Sequence, residues 1–402
     1  MKPTLTTALA VTALLATATA TAGAAQASAE GRPGLRATLQ HDADALLAQG
    51  APGVLVGVDG VGGDLRVRSG FGNVDARTPV PWNARFRIGS STKTFVSATL
   101  LQLVGEGRLS LDDSVQQWLP GLVTGKGNDG SRVSVRQLLQ HTSGLPDYLS
   151  ELPDIFTQKG FEQNRFGTTT PEQAVALAMR KPPEFAPGTA WDYSNTNYIL
   201  AGMIISRVTG HTWQHEVQTR IIRPLGLHHT YTPDTSSAIP GPHAIGYERF
   251  PGPNATADNL NYGEPIDATL LNPSWGGAAG EIISTTDDDN RFLRALIGGK
   301  VLRRAQLAEM QKTVPTNAGF QQNWPGARYG LGLMWVPNSC GGSWAHGGDI
   351  QGFRTRNGVT ADGSRSVVVS INTDSMKPRP GVTAPTKDVT IDLIDHALCG
   401  TR

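Results

Sequence analysis

Along residues 35–49, Leu39, Leu46 and Leu47 recur among polar neighbours at helical spacing, which predicts an amphipathic helix. Residues 53–58 form a continuous valine-rich apolar run, the pattern of a buried strand. Residues 64–68 then alternate Leu65 and Val67 with charges, as the hairpin partner at a sheet edge would. From Ser90 the rhythm turns helical, with Phe95, Val96, Leu100, Leu101 and Val104 apolar and Gly105 placed as a stop. The following stretch, 110–265, carries helix candidates at 171–180 and 199–208 between loops rich in Pro, Gly, Asn and Asp. Strand patterns return at 332–336, 352–359 and 366–371, and a last helix is predicted over 387–398. Strands at both ends of a helical middle predict one sheet built from 30–109 and 266–402, with 110–265 as a mostly helical insertion. There is no internal repeat.

The N-terminus changes this picture. Lys2 precedes an apolar, alanine-rich run from residue 5 to about 20, and Ala25-Gln26-Ala27 or Ala27-Ser28-Ala29 supplies a small-x-small cleavage site. Residues 1–29 are therefore expected to be an export signal and the mature chain to be secreted and extracellular. The run is too short for a membrane span, and no cysteine follows it to carry a lipid. With 35 Lys+Arg against 34 Asp+Glu, the balance gives no reason to expect nucleic acid or an anionic membrane as partner. Cys340 and Cys399 are the two cysteines, and in an oxidising compartment such a pair is expected to close. Their 59-residue loop corresponds to roughly 4 kcal/mol in the chain-entropy account.

Three short motifs carry candidate chemistry. A serine hydroxyl needs a base within hydrogen-bond reach, and Ser90-Ser91-Thr92-Lys93 puts Lys93 beside Ser90 on the first turn of a helix. Burial would keep that amine neutral. Tyr193-Ser194-Asn195 offers a phenol for proton transfer and an amide that can hold both a lysine and a substrate carbonyl. His346-Gly347-Gly348, placed inside a probable strand, would let a substrate backbone lie alongside. Singly, each has a plainer reading: a capping serine with a solvated lysine, a core tyrosine with a capping asparagine, a turn with an incidental histidine. Their joint occurrence, once each and in this order with gaps of 103 and 153 residues, favours chemistry.

With these motifs the sequence resembles the class C β-lactamase-like, penicillin-recognising serine hydrolases. The resemblance extends to Phe86-Arg87-Ile88-Gly89-Ser90, His141-Thr142-Ser143-Gly144-Leu145, Ala186-Pro187-Gly188, Asn197, and Tyr329-Gly330-Leu331-Gly332, over residues 35 to 400. It is similar above all to the secreted, soluble D-alanyl-D-alanine carboxypeptidases, which also use histidine in the third motif and have a late cysteine pair. The resemblance implies a mixed α/β fold, an antiparallel sheet with helices on both faces beside an all-helical lobe. It implies Ser90 as acylated nucleophile, Lys93 and Tyr193 as proton shuttle, Asn195 as ligand of a substrate amide and His346 as partner of the tyrosine. It further implies an oxyanion hole from the backbone N–H groups of Ser90 and Asp349 beside Gly348, with Trp275 and Phe156 lining the cleft. Trp275 has core packing as its plain alternative.

Departures bear on the substrate. The carboxypeptidases carry an arginine on the strand before the histidine; here Met334 stands there, with Gly347 and Asp349 where hydroxyl residues are usual. An aspartate there repels a substrate carboxylate unless Arg354 or Arg356 neutralises it. The expected activity is acyl transfer on D-amino-acid peptides, most like a D-alanyl-D-alanine carboxypeptidase acting on small peptides or muropeptides and reacting with β-lactams. β-Lactamase, esterase and D-specific amino- or endopeptidase activities are alternatives, as is a non-catalytic penicillin- or peptidoglycan-binding sensor. No cofactor and no metal is expected: His215-Glu216 has no second histidine four residues on, and His228-His229 are adjacent. No G-x-S-x-G occurs. A monomer is expected.

Overall fold

The structure is a computed structural model that describes residues 19–400 apart from 62, 153–154, 253–254 and 256–260, with side chains from residue 34 onward. The first 18 residues of the expected export signal lie outside the described residues. The main elements are α1 (Thr19–Ala48), β1 (Gly53–Gly60), β2 (Leu65–Gly70), α2 (Thr92–Gly105), α3 (Val135–Gln140), α4 (Pro171–Ala178), α5 (Thr196–Thr209) and α6 (Trp213–Val217). They continue with α7 (Gly277–Gly280), α8 (Thr286–Ile297), β3 (Val314–Pro315), β4 (Arg328–Tyr329), β5 (Met334–Val336) and β6 (Ser343–Ala345). The chain closes with β7 (Gly348–Ile350), β8 (Phe353–Thr360), β9 (Arg365–Ile371) and α9 (Ile391–Cys399). No described helix is long and apolar enough to cross a membrane.

One antiparallel sheet organises the molecule in the order β2-β1-β9-β8-β6-β5-β4-β3, with β7 also paired to β8. Its central strands come from opposite ends of the chain: Val56 of β1 sits opposite Val369 of β9. Strand alternation sorts their side chains by face. Val54, Val56, Val58, Val367, Val369 and Ile371 pack against Leu39, Leu46, Leu393 and Ala397 of α1 and α9. Gly57 points the other way, where an added Cβ would stand 2.9 Å from Thr286 Cβ of α8. Val368, Val359, Phe292 and Phe95 belong to the larger core on that side, which also takes in α2, α3, α4 and α5. The expected mixed fold with a two-faced antiparallel sheet is what forms.

Local differences from the sequence reading have physical causes. The helix expected to begin at Ser90 starts as a single 3-10 turn, Gly89–Ser91, because Gly89 takes a left-handed φ of 51° to turn out of the short strand Phe86–Arg87. α2 ends at Gly105 as expected, and the closure is made two residues on by Gly107 at φ 72°, with Gly107 N donating to Val104 O and Arg108 N to Leu103 O, a Schellman motif. The strand expected through His346 breaks after Ala345 and resumes at Gly348.

Cys340 and Cys399 form a disulfide that ties the end of α9 to the turn between β5 and β6. The unfolded, unreduced protein should show no titratable thiol, and replacing both cysteines by serine should lower unfolding stability by about 2–4 kcal/mol. Two thiols found without reductant, or an unchanged denaturation midpoint in the double variant, would count against this.

Candidate active site

Ser90 stands at the junction of the 3-10 turn and α2, so its hydroxyl faces the cleft while Lys93, one turn on, is entirely buried. Lys93 Nζ lies 3.0 Å from Ser90 Oγ, 2.8 Å from Asn195 Oδ1 and 2.8 Å from Ala279 O. The last two can only accept. Asn195 is held in that orientation because its Nδ2 donates to Asp147 Oδ2 at 2.8 Å, and Asp147 Oδ2 also accepts from Asn195 N at 3.1 Å. If the amine is neutral, its two N–H bonds go to Asn195 and Ala279, and its lone pair is left facing the Ser90 hydroxyl. Burial drives it toward that state: the Lys93 amine is pulled down to about 7, with Asp147 and Asp349 opposing the shift from a distance.

Tyr193 completes the cluster. Its hydroxyl hydrogen-bonds with the Ser90 side chain, and burial pushes the phenol well above its ordinary value of 10. A phenol so placed keeps its proton near neutral pH, so of the two groups beside Ser90 the lysine is the better base.

His346 lies in the same region but not as the resemblance implied. Its Nε2 is 2.7 Å from Tyr329 Oη, and its Nδ1 is 2.7 Å from Gly347 O. Since a carbonyl only accepts, Nδ1 carries the hydrogen and Nε2 accepts from Tyr329. The imidazole is therefore the partner of Tyr329, with its ring centre 6.4 Å from that of Tyr193. Burial lowers its pKa to about 3, which keeps it neutral. Ser91 Oγ donates to His346 O at 2.6 Å and His346 N donates to Asn357 Oδ1 at 2.9 Å, which anchors this break between β6 and β7.

The break brings two backbones into contact. A Cβ on Gly348 would stand 1.9 Å from Ile88 O and 2.8 Å from Ser90 N, and one on Gly89 2.8 Å from Asp349 N. Glycine on both sides is what lets the N–H groups of Ser90 and Asp349 border one point beside the Ser90 hydroxyl, an arrangement that can hold an oxyanion. Asp349 itself is no free anion. Its Oδ1 is 2.7 Å from Arg356 Nη1 and 3.4 Å from Arg354 Nε. With burial working against them, these arginines hold the carboxyl at about 2. The neutralisation left conditional by the sequence is present.

Two cavities meet at Ser90, Tyr193 and Asp349. The larger, about 470 Å³, is lined by Trp275, Phe156, Phe250, Asn195, Glu248 and Asp374 among others. The smaller, about 280 Å³, is lined by Met334, Phe320, Trp324, Tyr329, His346 and Arg356. Trp275 and Phe156, the latter 46% exposed, thus stand on the cleft wall. The sequence reading missed Asp147, which fixes Asn195, and gave no role to Tyr329. It also missed His141, a fully buried imidazole 4.3 Å from the Tyr193 ring whose Nδ1 meets Asn197 Nδ2 at 3.1 Å. His141 and Tyr329 sit inside landmarks already noted, but nothing in their spacing says what they touch.

Comparison with known proteins agrees with this geometry. The Beta-lactamase family model matches residues 21–389. A D-stereospecific amidohydrolase from Streptomyces sp. is 38% identical with a TM-score of 0.80, covering 91% of this chain and 99% of its own. D-amino acid amidase from Ochrobactrum anthropi SV3, complexed with D-phenylalanine, is 27% identical with a TM-score of 0.75 over 91% and 98%. A putative penicillin-binding protein, PbpX, from Bacillus subtilis is 26% identical over 77% of this chain and 68% of its own.

If Lys93 is the base that the geometry favours, the rate at which a penicillin acylates the protein should rise with pH through about 7 and fall below it, because the competent form is the deprotonated amine. Lys93→Ala should slow acylation by at least about a hundredfold, and Tyr193→Phe by a similar factor if the phenol carries the shuttled proton. A flat rate from pH 5 to 9, or an adduct mapped to a serine other than Ser90, would contradict the assignment.

Proposed function

The chain belongs to the Beta-lactamase family, and from that premise we propose that it is a serine amidohydrolase that cleaves amides and peptides of D-amino acids through an acyl-Ser90 intermediate. Lys93 removes the Ser90 proton as Oγ attacks the carbonyl carbon, and the developing oxyanion is met by the N–H groups of Ser90 and Asp349. The proton passes through Lys93 and Tyr193 to the leaving nitrogen, the C–N bond breaks, and water then cleaves the ester by the reverse relay. His346 acts by holding Tyr329 and the β6–β7 break in place rather than by proton transfer.

The observation that carries the choice of substrate is the charge pattern in the smaller cavity. A carboxypeptidase needs a cation there to grip a terminal carboxylate, and such charge-assisted bonds are worth about 1.5–3 kcal/mol each. Met334, at the expected arginine position, is 97% buried among Trp191, Trp324 and Tyr329. Arg356 is held between Asp349 and Asp388, 2.7 Å from each, and Arg354 between Asp349 and Asp374. Both guanidinium groups are already paired with carboxylates. A free-acid leaving group therefore meets no unpaired arginine, whereas a neutral amide or ester loses nothing. The structural relatives described as amidohydrolase and amidase support the same choice over the carboxypeptidase that the sequence suggested.

On the opposite side, Glu248 and Asp374 line the larger cavity with Arg354 between them and Asp349. Three carboxyl groups, Glu248, Asp349 and Asp374, face two arginines, Arg249 and Arg354, there. Export from the cell, with cleavage near Ala29, belongs to the same proposal; an N-terminal sequence beginning near residue 1 on protein recovered from outside the cell would exclude it.

The test is kcat/KM for matched D-amino acid amide, ester and D-alanyl-D-alanine free-acid substrates, each with a free and an acetylated amine. The amide and ester should be cleaved at least as well as the free acid, and the D form over the L form. Met334→Arg should move preference toward the free acid by roughly tenfold, since 1.4 kcal/mol is a factor of ten. A wild-type enzyme that strongly prefers the free acid would be a carboxypeptidase, and this proposal would fail.

A further inference from the structure

One histidine pair stands outside the chemistry above. No histidine stands four residues after His215, but His211 stands four residues before it. His211 sits in the turn between α5 and α6, after Gly210 closes α5 with a left-handed φ of 78° and before Thr212 caps α6 by accepting from His215 N. The two rings stand with centroids 4.6 Å apart, both exposed. Glu216, next on α6, brings a carboxylate to the same place, and one ligand atom from each of the three lies within 4.8 Å of the others.

The carboxylate is already oriented. Glu216 is buried, and its Oε2 accepts from Arg220 Nε at 2.5 Å; Arg220 in turn reaches Glu106 Oε1 at 2.5 Å. That brace holds Glu216 Oε2 and leaves Oε1 for a further partner; Arg108, 4.0 Å from Glu106, balances the second carboxylate, so the donor atoms rather than net charge carry the site. Around a tetrahedral zinc with bonds of about 2.0–2.1 Å, ligand atoms stand about 3.4 Å apart. Two exposed imidazoles can close that distance by rotamer change while the backbone and the carboxylate stay fixed.

We infer that His211, His215 and Glu216 form a binding site for a borderline divalent transition-metal ion such as Zn²⁺ or Ni²⁺, outside the serine cleft, which pins the α5–α6 turn. Imidazole nitrogen with a single carboxylate is the donor set such ions take, and three protein ligands leave a fourth position for water. The site is separate from the hydrolytic residues, so bound metal stabilises the fold without entering the reaction.

The experiment is calorimetric titration of Zn²⁺, and separately Ni²⁺, into the untagged full chain at pH 7.5, with thermal denaturation in parallel. One equivalent should bind, with a metal-dependent rise in Tm. His211→Ala and His215→Ala should each weaken binding by about tenfold or more, and Glu216→Gln should weaken it while both histidines remain. Hydrolysis of an ester substrate by His215→Ala should match that of wild type, showing the variant folded. Absence of binding at a hundred micromolar metal, or binding that persists in the His211→Ala/His215→Ala double variant, would overturn the assignment. Unchanged affinity in Glu216→Gln would overturn the three-ligand site.

Discussion

A lysine with no exposed surface must meet a counter-charge or give up its proton. Lys93 has three hydrogen-bond partners, Ser90, Asn195 and Ala279, and no carboxylate within ion-pair distance among the described residues. The neighbouring carboxylates are each engaged elsewhere: Asp147 on Asn195, Asp349 on Arg356. Much of the surrounding structure can be understood as keeping that arrangement dry and fixed. The α7 segment supplies Ala279 O, the Asp147–Asn195 pair sets which amide atom faces the amine, and the ring of Tyr193 lies 4.8 Å from Nζ.

The same logic underlies the proposal that this site does not rely on a substrate carboxylate. Arginines are present beside the cleft, and composition alone would allow them to grip a carboxylate. Both are paired with carboxylates, Asp349, Asp374 and Asp388, and that pairing also offsets the repulsion that an unpaired Asp349 would exert. Asp349 can therefore serve through its backbone while its side chain forms part of the wall. The specificity argument rests on which charges are already matched, a property of the fold rather than of the residue list.

This division marks how much was legible beforehand. The short apolar, valine-rich runs at 53–58 and 366–371 gave the central strands, and the i, i+3 relation of Ser90 and Lys93 gave the heart of the site, because both depend on local pattern. The pairing of Cys340 with Cys399 followed from there being no other choice. What spacing could not supply was partner identity across the fold. His346 meets Tyr329 rather than Tyr193, and Asp147 meets Asn195 from 48 residues away. The end of α2 at Gly105 was legible, but not that Gly107 would supply the positive φ that closes it.

The central claim is that Lys93 is a neutral amine near physiological pH in the resting enzyme. The direct measurement is an NMR titration of lysine labelled with ¹³C at Cε, with the Lys93 resonance assigned by its loss in Lys93→Arg. A titration midpoint near 7 is predicted. A midpoint near the ordinary lysine value of 10.5 would show that the amine stays protonated, and the account of base catalysis at Ser90 would be wrong.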